Sequence, residues 1–370
     1  MTRYLIAAMV VILATSACAQ DPVADWTFDD DTGQWQGVGP AALLSVTADE
    51  NIVREDANPV AEFSYTAEIG SMSGVMTPID MPLVDAKTLS FWLRTSDPVI
   101  ALVSISEADG SNYMTGFFSL PDRWQEVAIG LSEFALDDDS TDENGQLDPD
   151  QIDGLVIIDA TAFLAEMASQ VQFLEAPELG PRMLWLDDVS VDAEALPPRW
   201  ETVDIDGARA IRFDSLESTP LQWMMLAGKN IELDYDDELV ADGNFSLRVV
   251  YDLPAGKLLG LMSNPGPAPL EETTRLRLSV MTEKKITLLI GLKEDDESEY
   301  NVMVPVEPAD DFTVVEFALA DFALSDDSGD ENGQLDIEQV SEFSIADVSF
   351  MAGEPAGYNT LWIDDILFIE

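Results

Sequence analysis

The sequence predicts an all-β protein in which two tandem antiparallel β-sandwich or jelly-roll domains follow a signal peptide. Two observations predict this fold. A long segment of the chain occurs twice, and short runs of alternating apolar and polar residues lie between turns rich in Asp, Gly, Ser and Pro. Each half of the 370-residue chain is long enough to bury one core.

The amino terminus has the three-part pattern of a secretory signal. Arg3 precedes an apolar run from Tyr4 to Leu13, and small residues follow up to Ala19. Two processing routes fit: cleavage before Gln20, or lipidation of Cys18 in a setting that resembles a lipobox. We therefore expect an exported protein, either secreted or held in the cell envelope as an outer-membrane lipoprotein. No later run of about 18 apolar residues predicts a membrane-spanning helix.

The most specific signal is an internal repeat. Residues 131–148 read LSEFALDDDSTDENGQLD, and residues 319–336 read LADFALSDDSGDENGQLD, an offset of 188. At the ends, LWLDDV at 184–189 matches LWIDDI at 361–366 with an offset of 177. The first copy therefore carries eleven extra residues (188 minus 177) near 162–179, where a helix competes with strand.

The repeat sets the expected domain boundaries. A signal peptide covers 1–19, a first module covers 20–195, a linker covers 196–204 and a second module covers 205–370.

Alternation with a period of two predicts the strands. In residues 89–94, Leu, Phe and Leu alternate with Ser, Trp and Arg. Further strands of the first module are predicted at 60–66, 99–106, 113–119, 154–158 and 184–191, with a matching set in the second.

Charge and composition exclude several classes of function. With 72 acidic and 17 basic side chains, a formal net charge of -55, the chain repels nucleic acids and anionic membranes. It has no histidine and one cysteine, which removes imidazole and thiol catalysis, zinc-thiolate sites and disulfides. Two carboxylates would suffice for glycoside hydrolysis, but no motif of a nucleophile, phosphate or dinucleotide site occurs. We expect a protein that is not an enzyme.

The order of several motifs resembles that of galactose-binding-like jelly-roll domains, which are common among carbohydrate-binding modules. These motifs are an opening Phe28-Asp29, a middle Trp-x-x-Val-x-Ile-x-Leu from Trp124, and a closing Leu-Trp-Ile-Asp-Asp-Ile from Leu361. The resemblance implies non-catalytic modules that hold glycans on a concave sheet face or a loop rim, often beside a structural calcium ion. The sequence departs from the family pattern because no catalytic domain accompanies the modules, and Phe312 replaces the middle Trp in the second copy.

Calcium is the expected cofactor, because an Asp-rich chain without histidine favours hard cations that take oxygen ligands. The resemblance implies one ion per module between an opening and a closing aspartate. These pairs are Asp29 with Asp188, and Asp214 with Asp365. The alternative is a turn residue and a solvated strand end.

The repeated loop is a second calcium candidate. Asp142, Asn144, Gly145 and Asp148 follow the spacing of a calcium loop, with glycine at the sharp turn, but Gln151 stands where a bidentate Glu belongs. The predicted ligands are Asp139, Asp142, Asn144 and Asp148, with Asp327, Asp330, Asn332 and Asp336 in the second copy. A solvated connection closed by an Asn-Gly turn is the alternative.

Strand phase gives candidates for glycan contact. If the apolar residues of 89–93 face the core, Trp92 and Arg94 face outward together. The resemblance places Tyr113 and Tyr300 near that face. The predicted ligand-binding residues are Trp92, Arg94, Tyr113, Arg277, Lys293 and Tyr300.

The two copies are not equivalent, since Ser279 and Met281 stand where the first copy has Trp92 and Arg94. The first copy is therefore the better candidate for a glycan. As the alternative, the aromatic rings pack in the sandwich and Arg94 is a counter-ion in an acidic shell.

These patterns predict an exported, non-catalytic glycan-binding protein with calcium-stabilised modules, whose partner is a polysaccharide or a cell-surface glycan. The alternative is a structural or adhesion protein of the cell surface, whose modules act as acidic, cation-bridging spacers. Exposure of Trp92 or Tyr113 beside Arg94 favours binding, and burial of those rings favours the spacer.

Overall fold

The computed structural model describes residues 22–54, 58–137, 139–214, 216, 223–226, 231–264, 268–326, 328–330 and 332–370. The predicted signal peptide, Cys18 and Asp327 lie outside these residues. Within them, no helix has the length and apolar character needed to cross a membrane.

In its described residues, the first module consists of short strands and one helix, α1 (Thr161–Gln170). In chain order its strands are β1 (Ala24–Trp26), β2 (Gln36–Val38), β3 (Leu43–Thr47), β4 (Val60–Ala67), β5 (Ser73–Pro78), β6 (Thr88–Thr95), β7 (Val99–Glu107), β8 (Asn112–Ser119), β9 (Gln125–Gly130), β10 (Ala135–Leu136), β11 (Ile152–Asp159) and β12 (Gly180–Asp192). The predicted strands at 60–66, 99–106, 113–119, 154–158 and 184–191 are confirmed as β4, β7, β8, β11 and β12.

The second module repeats this order, with a short helix α2 (Ser349–Ala352) in place of α1. Its strands are β13 (Glu201–Ile205), β14 (Ala208–Arg212), β15 (Met224–Leu226), β16 (Glu232–Asp236), β17 (Ser246–Leu253), β18 (Leu259–Ser263), β19 (Arg275–Thr282), β20 (Ile286–Glu294), β21 (Glu299–Val306), β22 (Thr313–Ala318), β23 (Ala323–Leu324), β24 (Val340–Asp347) and β25 (Gly357–Ile369). Single 3-10 turns occur at Leu131–Glu133, Leu319–Asp321 and Ile337–Gln339.

Each module is a pair of antiparallel sheets. In the first module, the sheet that holds the closing strand has the order β3-β4-β12-β6-β9, with β1 beside β12, and the second sheet has the order β10-β8-β7-β11-β5-β2. In the second module, the closing strand β25 lies in the sheet β13-β14-β25-β17-β16, which also holds β19 and β22. The second sheet there is β15-β18-β24-β20-β21-β23. The all-β sandwich predicted from the repeat is therefore confirmed in both halves.

The core of each module lies between its two sheets. On β6, Leu89, Phe91 and Leu93 are at most 1% exposed, whereas Trp92 and Arg94 are half-buried on the outer surface. Burying one such Phe contributes about 1.5–3 kcal/mol. The alternation that predicts this strand is therefore a consequence of one face being covered by the other sheet.

The closing strand of each module contains a β-bulge at the repeated Asp-Asp pair. The register of β12 against β6 shifts between Asp187 and Ser190. The second aspartates, Asp188 and Asp365, have left-handed backbones with φ of 44° and 48°. Aspartate adopts this conformation more readily than most residues other than glycine, which explains the residue type at the bulge.

The two modules are in contact. Ile100, Phe118 and Leu120 of the first module belong to the apolar cluster of the second. The extra segment of the first module contains α1 and then reaches the second module, where Phe173 O accepts a 3.0 Å hydrogen bond from Leu258 N. β13 begins inside the segment that the sequence assigns to the linker.

Candidate functional site

The outer surface predicted for glycan contact in the first module is covered by the chain that precedes β4. The guanidinium of Arg54 lies 4.2 Å from the ring centre of Trp92. Arg94 donates a 3.1 Å hydrogen bond to Asn51 O, and its guanidinium lies over Trp185. Trp92 is therefore a stacking partner for an arginine and not an open platform, and glycan contact through Trp92 and Arg94 stays a prediction.

The two tyrosines predicted to contact a glycan are core residues. Tyr113 and Tyr300 are 1% and 2% exposed. Their hydroxyls donate to Asp142 and Asp330 in the repeated loops. Burial raises the pKa of both tyrosines. Both rings lie in the core and not on the surface, so burial does not favour the predicted ligand contact through Tyr113 and Tyr300.

The two cations predicted for the second module lie on opposite sides of the sandwich. Arg277 points outward from β19, between the buried Leu276 and Leu278. Lys293 points outward from β20 in the other sheet. Lys293 and Arg277 therefore lie on the outer surfaces of different sheets and cannot contact the same ligand unit.

Two equivalent acidic clusters lie at the loops that carry the repeat. The carboxylate oxygens of Glu107, Asp109 and Asp142 lie within 4.8 Å of one another, as do those of Glu294, Asp296 and Asp330. Glu107 and Glu294 are 1% and 3% exposed. Burial raises the pKa of Glu294, whereas the Tyr113 hydroxyl lowers the pKa of Asp142 and the Tyr300 hydroxyl lowers that of Asp330. Each cluster could hold a metal ion through carboxylate oxygens.

The sequence predicts calcium ligands in each repeated loop. Among the described residues, only Asp142 and Asp330 of that set belong to the two acidic clusters. Asn144 Nδ2 donates 3.0 Å to Asp148 Oδ2, and Asn332 Nδ2 donates 2.8 Å to Asp336 Oδ2. Asp139 is exposed. The loop does turn sharply at its glycines, since Gly145 and Gly333 both have φ of 67°. Within the described part of each loop, these amides and carboxylates bond to each other.

The acidic partners from β7 and β20 were missed by sequence reasoning, although a signal exists. Both copies contain Glu-x-Asp-x-Ser-x-Tyr, at 107–113 and 294–300. In this motif the serine N–H donates 2.9 Å to the aspartate in each copy, at Ser111 and Ser298. The tyrosine then bonds the loop aspartate, so the motif and the repeated loop form one unit.

Three of the four aspartates predicted to bind calcium as opening and closing pairs have protein partners. Arg54 pairs with Asp188 and lies 3.1 Å from Asp187. Asp29 is exposed. In this module the counter-charge beside the closing aspartate is a guanidinium.

The same holds in the second module, where the arginine comes from a strand and not from a loop. Arg212 of β14 lies 3.2 Å from Asp365 and also pairs with Glu201 and Asp242. Asp214 accepts hydrogen bonds from Trp223 Nε1 at 3.0 Å and Leu216 N at 2.9 Å.

The outer surface of the second sheet of the second module carries a row of side chains across neighbouring strands. Asn301 of β21 lies opposite Gly291 of β20, which lies opposite Ser344 of β24. Ser344 lies opposite Met262 of β18, and Met262 opposite Met224 of β15. We call this row, with the adjacent Lys293 and Glu342, the open face. Four strand spacings of about 4.8 Å give it a length of roughly 19 Å.

Two polar groups converge at the middle of the open face. A Cβ atom on Gly291 would collide with Ser344 Oγ and come within 2.9 Å of Asn301 Oδ1. Glycine at this position therefore lets a hydroxyl and an amide approach each other above the sheet.

A half-buried lysine and a half-buried glutamate lie beside these groups. Lys293 is directly opposite Glu342 across the sheet, and Lys293 Nζ also lies 2.5 Å from Glu297 Oε2. Burial raises the pKa of Glu342 to about 7, against the opposing effect of Lys293. The open face thus offers an ammonium, a carboxyl, an amide and a hydroxyl, with methionine side chains for apolar contact.

The open face continues into a groove of about 210 Å³ between the modules. Met224 forms one wall, and Leu102, Met114 and Gly116 of the first module form the other. A Cβ atom on Gly116 would lie 2.9 Å from Met224 Sδ, so glycine is what allows this close approach.

No protein-family model matches the chain, and no curated protein matches it. A similar solved structure is the family 11 carbohydrate-binding module of the cellulase Lic26A-Cel5E of Clostridium thermocellum. It is 16% identical over 47% of this chain and 98% of that one, with a TM-score of 0.33.

Two further structures differ in how much they cover. The tandem CBM22-1–CBM22-2 domains of Xyn10C from Paenibacillus barcinonensis are 11% identical over 96% of this chain and 99% of theirs, with a TM-score of 0.29. An exo-β-agarase is 10% identical over 46% of this chain and 24% of its own, with a TM-score of 0.32. These values describe a likeness of fold and carry no information about ligands. The sheet topology makes the chain a tandem of two jelly-roll β-sandwiches, and carbohydrate-binding modules are among the proteins that it resembles in fold.

Proposed function

We propose that the protein is an exported, non-catalytic glycan-binding protein that holds a neutral polysaccharide along the open face of the second module. The observation that carries the proposal is the convergence of Asn301 and Ser344 over Gly291, beside the pair Lys293 and Glu342. Binding sites for small polar ligands combine a few such groups with apolar contact surface. Met262 and Met224 supply that apolar surface along the same row.

A neutral ligand fits the charges better than an acidic polymer. Lys293 and Glu342 face each other on the open face, and the net charge of -55 repels polyanions over the whole surface. Sugar hydroxyls can donate to Glu342 and accept from Lys293 without adding charge to this site.

Calcium is proposed as a stabilising ion in the two acidic clusters. Each cluster brings three carboxylates together at the end of the sandwich, where an ion would relieve their repulsion. The remaining ligand positions would be taken by water or by loop oxygens. We also propose export, because the amino terminus has the pattern of a secretory signal, with lipidation of Cys18 as one of the two processing routes.

A second candidate function has a specific observation in its favour. Because Arg54 covers Trp92 and because Tyr113 and Tyr300 are buried, the predicted aromatic platform is not available. This favours a structural or adhesion role in which the acidic modules act as spacers bridged by cations.

A polysaccharide panel separates the two functions. The intact protein is tested on β-1,3-1,4-glucan, xylan and agarose by affinity electrophoresis, with release of reducing ends measured in parallel. The glycan-binding proposal predicts retardation by at least one polymer and no released sugar. Uniform mobility on all three would favour the spacer, and released sugar would contradict the non-catalytic role.

A further inference from the structure

A cavity of about 240 Å³ lies at the end of the second module opposite its acidic cluster. It opens where β20 begins at Ile286, whereas Lys293 of the open face lies seven residues further along the same strand, roughly 23 Å away at about 3.3 Å per residue. The cavity is therefore separate from the open face. Its wall comes from the connections β17–β18, β19–β20 and β24–β25.

The floor of the cavity is a buried carboxylate that joins the two sheets. Asp347 is 4% exposed, and its Oδ2 accepts a 2.7 Å hydrogen bond from the Tyr251 hydroxyl. Its Oδ1 accepts from Ser349 N at 2.9 Å and from Ser349 Oγ. Asn359 Nδ2 donates 2.8 Å to the same tyrosine hydroxyl.

The first module fills the equivalent space with an arginine. Arg182 lies opposite Tyr65 on the paired strand, just as Asn359 lies opposite Tyr251. Asp159 Oδ2 accepts from the Tyr65 hydroxyl at 2.8 Å and from Arg182 at 3.0 Å. The second module therefore keeps the carboxylate and the tyrosine but lacks the guanidinium. Asp347 Oδ2 accepts from one donor where Asp159 Oδ2 accepts from two, and Asp347 lines the cavity.

The cavity is also lined by an unusual concentration of basic side chains. Lys257, Lys284 and Lys285 are three of the six lysines in the chain, and all three line it. Against them stand Asp347 and Glu354 in the lining and Glu307 beside Lys285, so charge is balanced here (three minus three) in a chain whose net charge is -55.

The three lysines differ in the partners of their ammonium groups. Lys285 pairs with Glu307 at 2.8 Å and lies 3.9 Å from Glu354. Lys257 Nζ donates to Gln172 O and Leu174 O, which hold it in place without cancelling its charge. Lys284 is exposed and has no carboxylate partner within the described ranges of the chain.

We propose that this cavity binds one sugar unit that carries a carboxylate or sulfate group. A ring hydroxyl donates to Asp347 Oδ2, in place of the guanidinium of the first module. The anionic group lies at the rim with Lys284 and Lys257. The sugar class rests on the proposed glycan-binding function, but the site is independent of the open face.

The test titrates the intact protein with D-galacturonate, galactose 6-sulfate and galactose, followed by NMR of the isotopically labelled chain. We expect at least one of the two acidic sugars to bind with a Kd about tenfold or more below that of galactose, since hydrogen bonds to charged groups are the stronger ones. Comparing the Kd of galacturonate with that of galactose 6-sulfate identifies whether the rim prefers a carboxylate or a sulfate group. Inorganic sulfate is run as a further arm.

Three variants complete the test. Asn359→Arg should abolish binding, because it reproduces the arrangement of the first module. Lys284→Ser should raise the Kd about tenfold or more and, being a surface change, keeps the test valid if the arginine variant fails to fold. Lys87→Ser, which makes the same charge change at an exposed site of the first module, should leave the Kd unaltered.

Equal affinity for galactose and both acidic sugars, or an unchanged Kd in Lys284→Ser, would overturn the proposal. So would inorganic sulfate that produces the same shifts with the same affinity, because the site would then be a simple anion site. None of these results depends on Asn301 or Lys293, so failure here and failure of polysaccharide binding on the open face are distinguishable.

Discussion

Arg182 and Asn359 occupy the same position of the closing strand in the two modules, and only Arg182 neutralises the buried carboxylate beside it. The side chains of Arg182 and Asp159 are 5% and 1% exposed, at 3.0 Å. The second module buries Asp347 with hydroxyl and amide partners instead. Two copies of one fold thus carry different chemistry at the same end of the sandwich.

Arg182→Ala is expected to destabilise the first module strongly, because it leaves Asp159 buried without its counter-charge. Removing one partner of a buried pair costs about 3–5 kcal/mol. Urea unfolding measures the loss. The matched control is Arg123→Ala, since Arg123 and Asp234 form an exposed pair whose loss costs about 0–1 kcal/mol. If the two variants lost equal free energy of unfolding, Arg182 would not be the counter-charge that stabilises the buried Asp159.

The raised pKa of Glu342 predicts that the free energy of unfolding falls as the pH rises. Its pKa is about 7 in the folded protein and lower when unfolded, so between these values the native state holds a proton that the unfolded state lacks. The facing charges are Lys293, which opposes the shift, and Glu297 and Glu299, which add to it.

Between pH 5 and pH 8, the wild type should lose roughly 1–3 kcal/mol relative to Glu342→Gln. Chemical unfolding across this range measures the difference, and Glu316→Gln on the exposed part of β22 serves as control. A wild type that gains stability relative to Glu342→Gln over this range would reverse the predicted sign.

Calcium is expected to raise the melting temperature, because an ion that binds only the native state stabilises it by mass action, by about 2.7 kcal/mol at 100 times its Kd. Asp109→Asn combined with Asp296→Asn should remove most of this gain, since both residues are exposed members of the acidic clusters. Asp85→Asn is the control. A melting curve that chelator and calcium leave unmoved would contradict the calcium proposal.

Tyr113→Phe is expected to lower stability and to raise the pKa of Asp142, because the tyrosine hydroxyl is the main group that holds this pKa down. Carbon-detected NMR titration of the Asp142 carboxyl measures the shift. Polysaccharide affinity should stay unchanged, since the ring is buried. If Tyr113→Phe lowered the affinity for polysaccharide without lowering the free energy of unfolding, Tyr113 would be a ligand-binding residue.

The sequence predicts the strands and the duplication because both depend on local patterns. Alternation around Phe91 correctly assigns Trp92 to the outer surface of β6. It cannot reveal Arg54, because the loop that places this guanidinium over the ring is brought there by tertiary packing.

The acidic clusters likewise cannot be predicted in full from local sequence patterns. The spacing of Asp142 within its loop is local and readable, whereas Glu107 and Asp109 arrive from a turn some thirty residues earlier, through antiparallel pairing of β7 and β8. Likewise, Asn359 matches Arg182 only after the strands are registered against Tyr251 and Tyr65. Residues brought together by register need the sheet before their roles can be assigned.

The most direct test of glycan binding on the open face is isothermal titration of the intact protein with soluble oligosaccharides of the polymer it retains best. We predict that Asn301→Ala weakens binding about 2- to 12-fold and Lys293→Met about tenfold or more, the free energies of a neutral and a charged hydrogen bond. Trp92→Ala and Lys284→Ser should bind as the wild type does. Undiminished affinity in both Asn301→Ala and Lys293→Met would contradict the central claim.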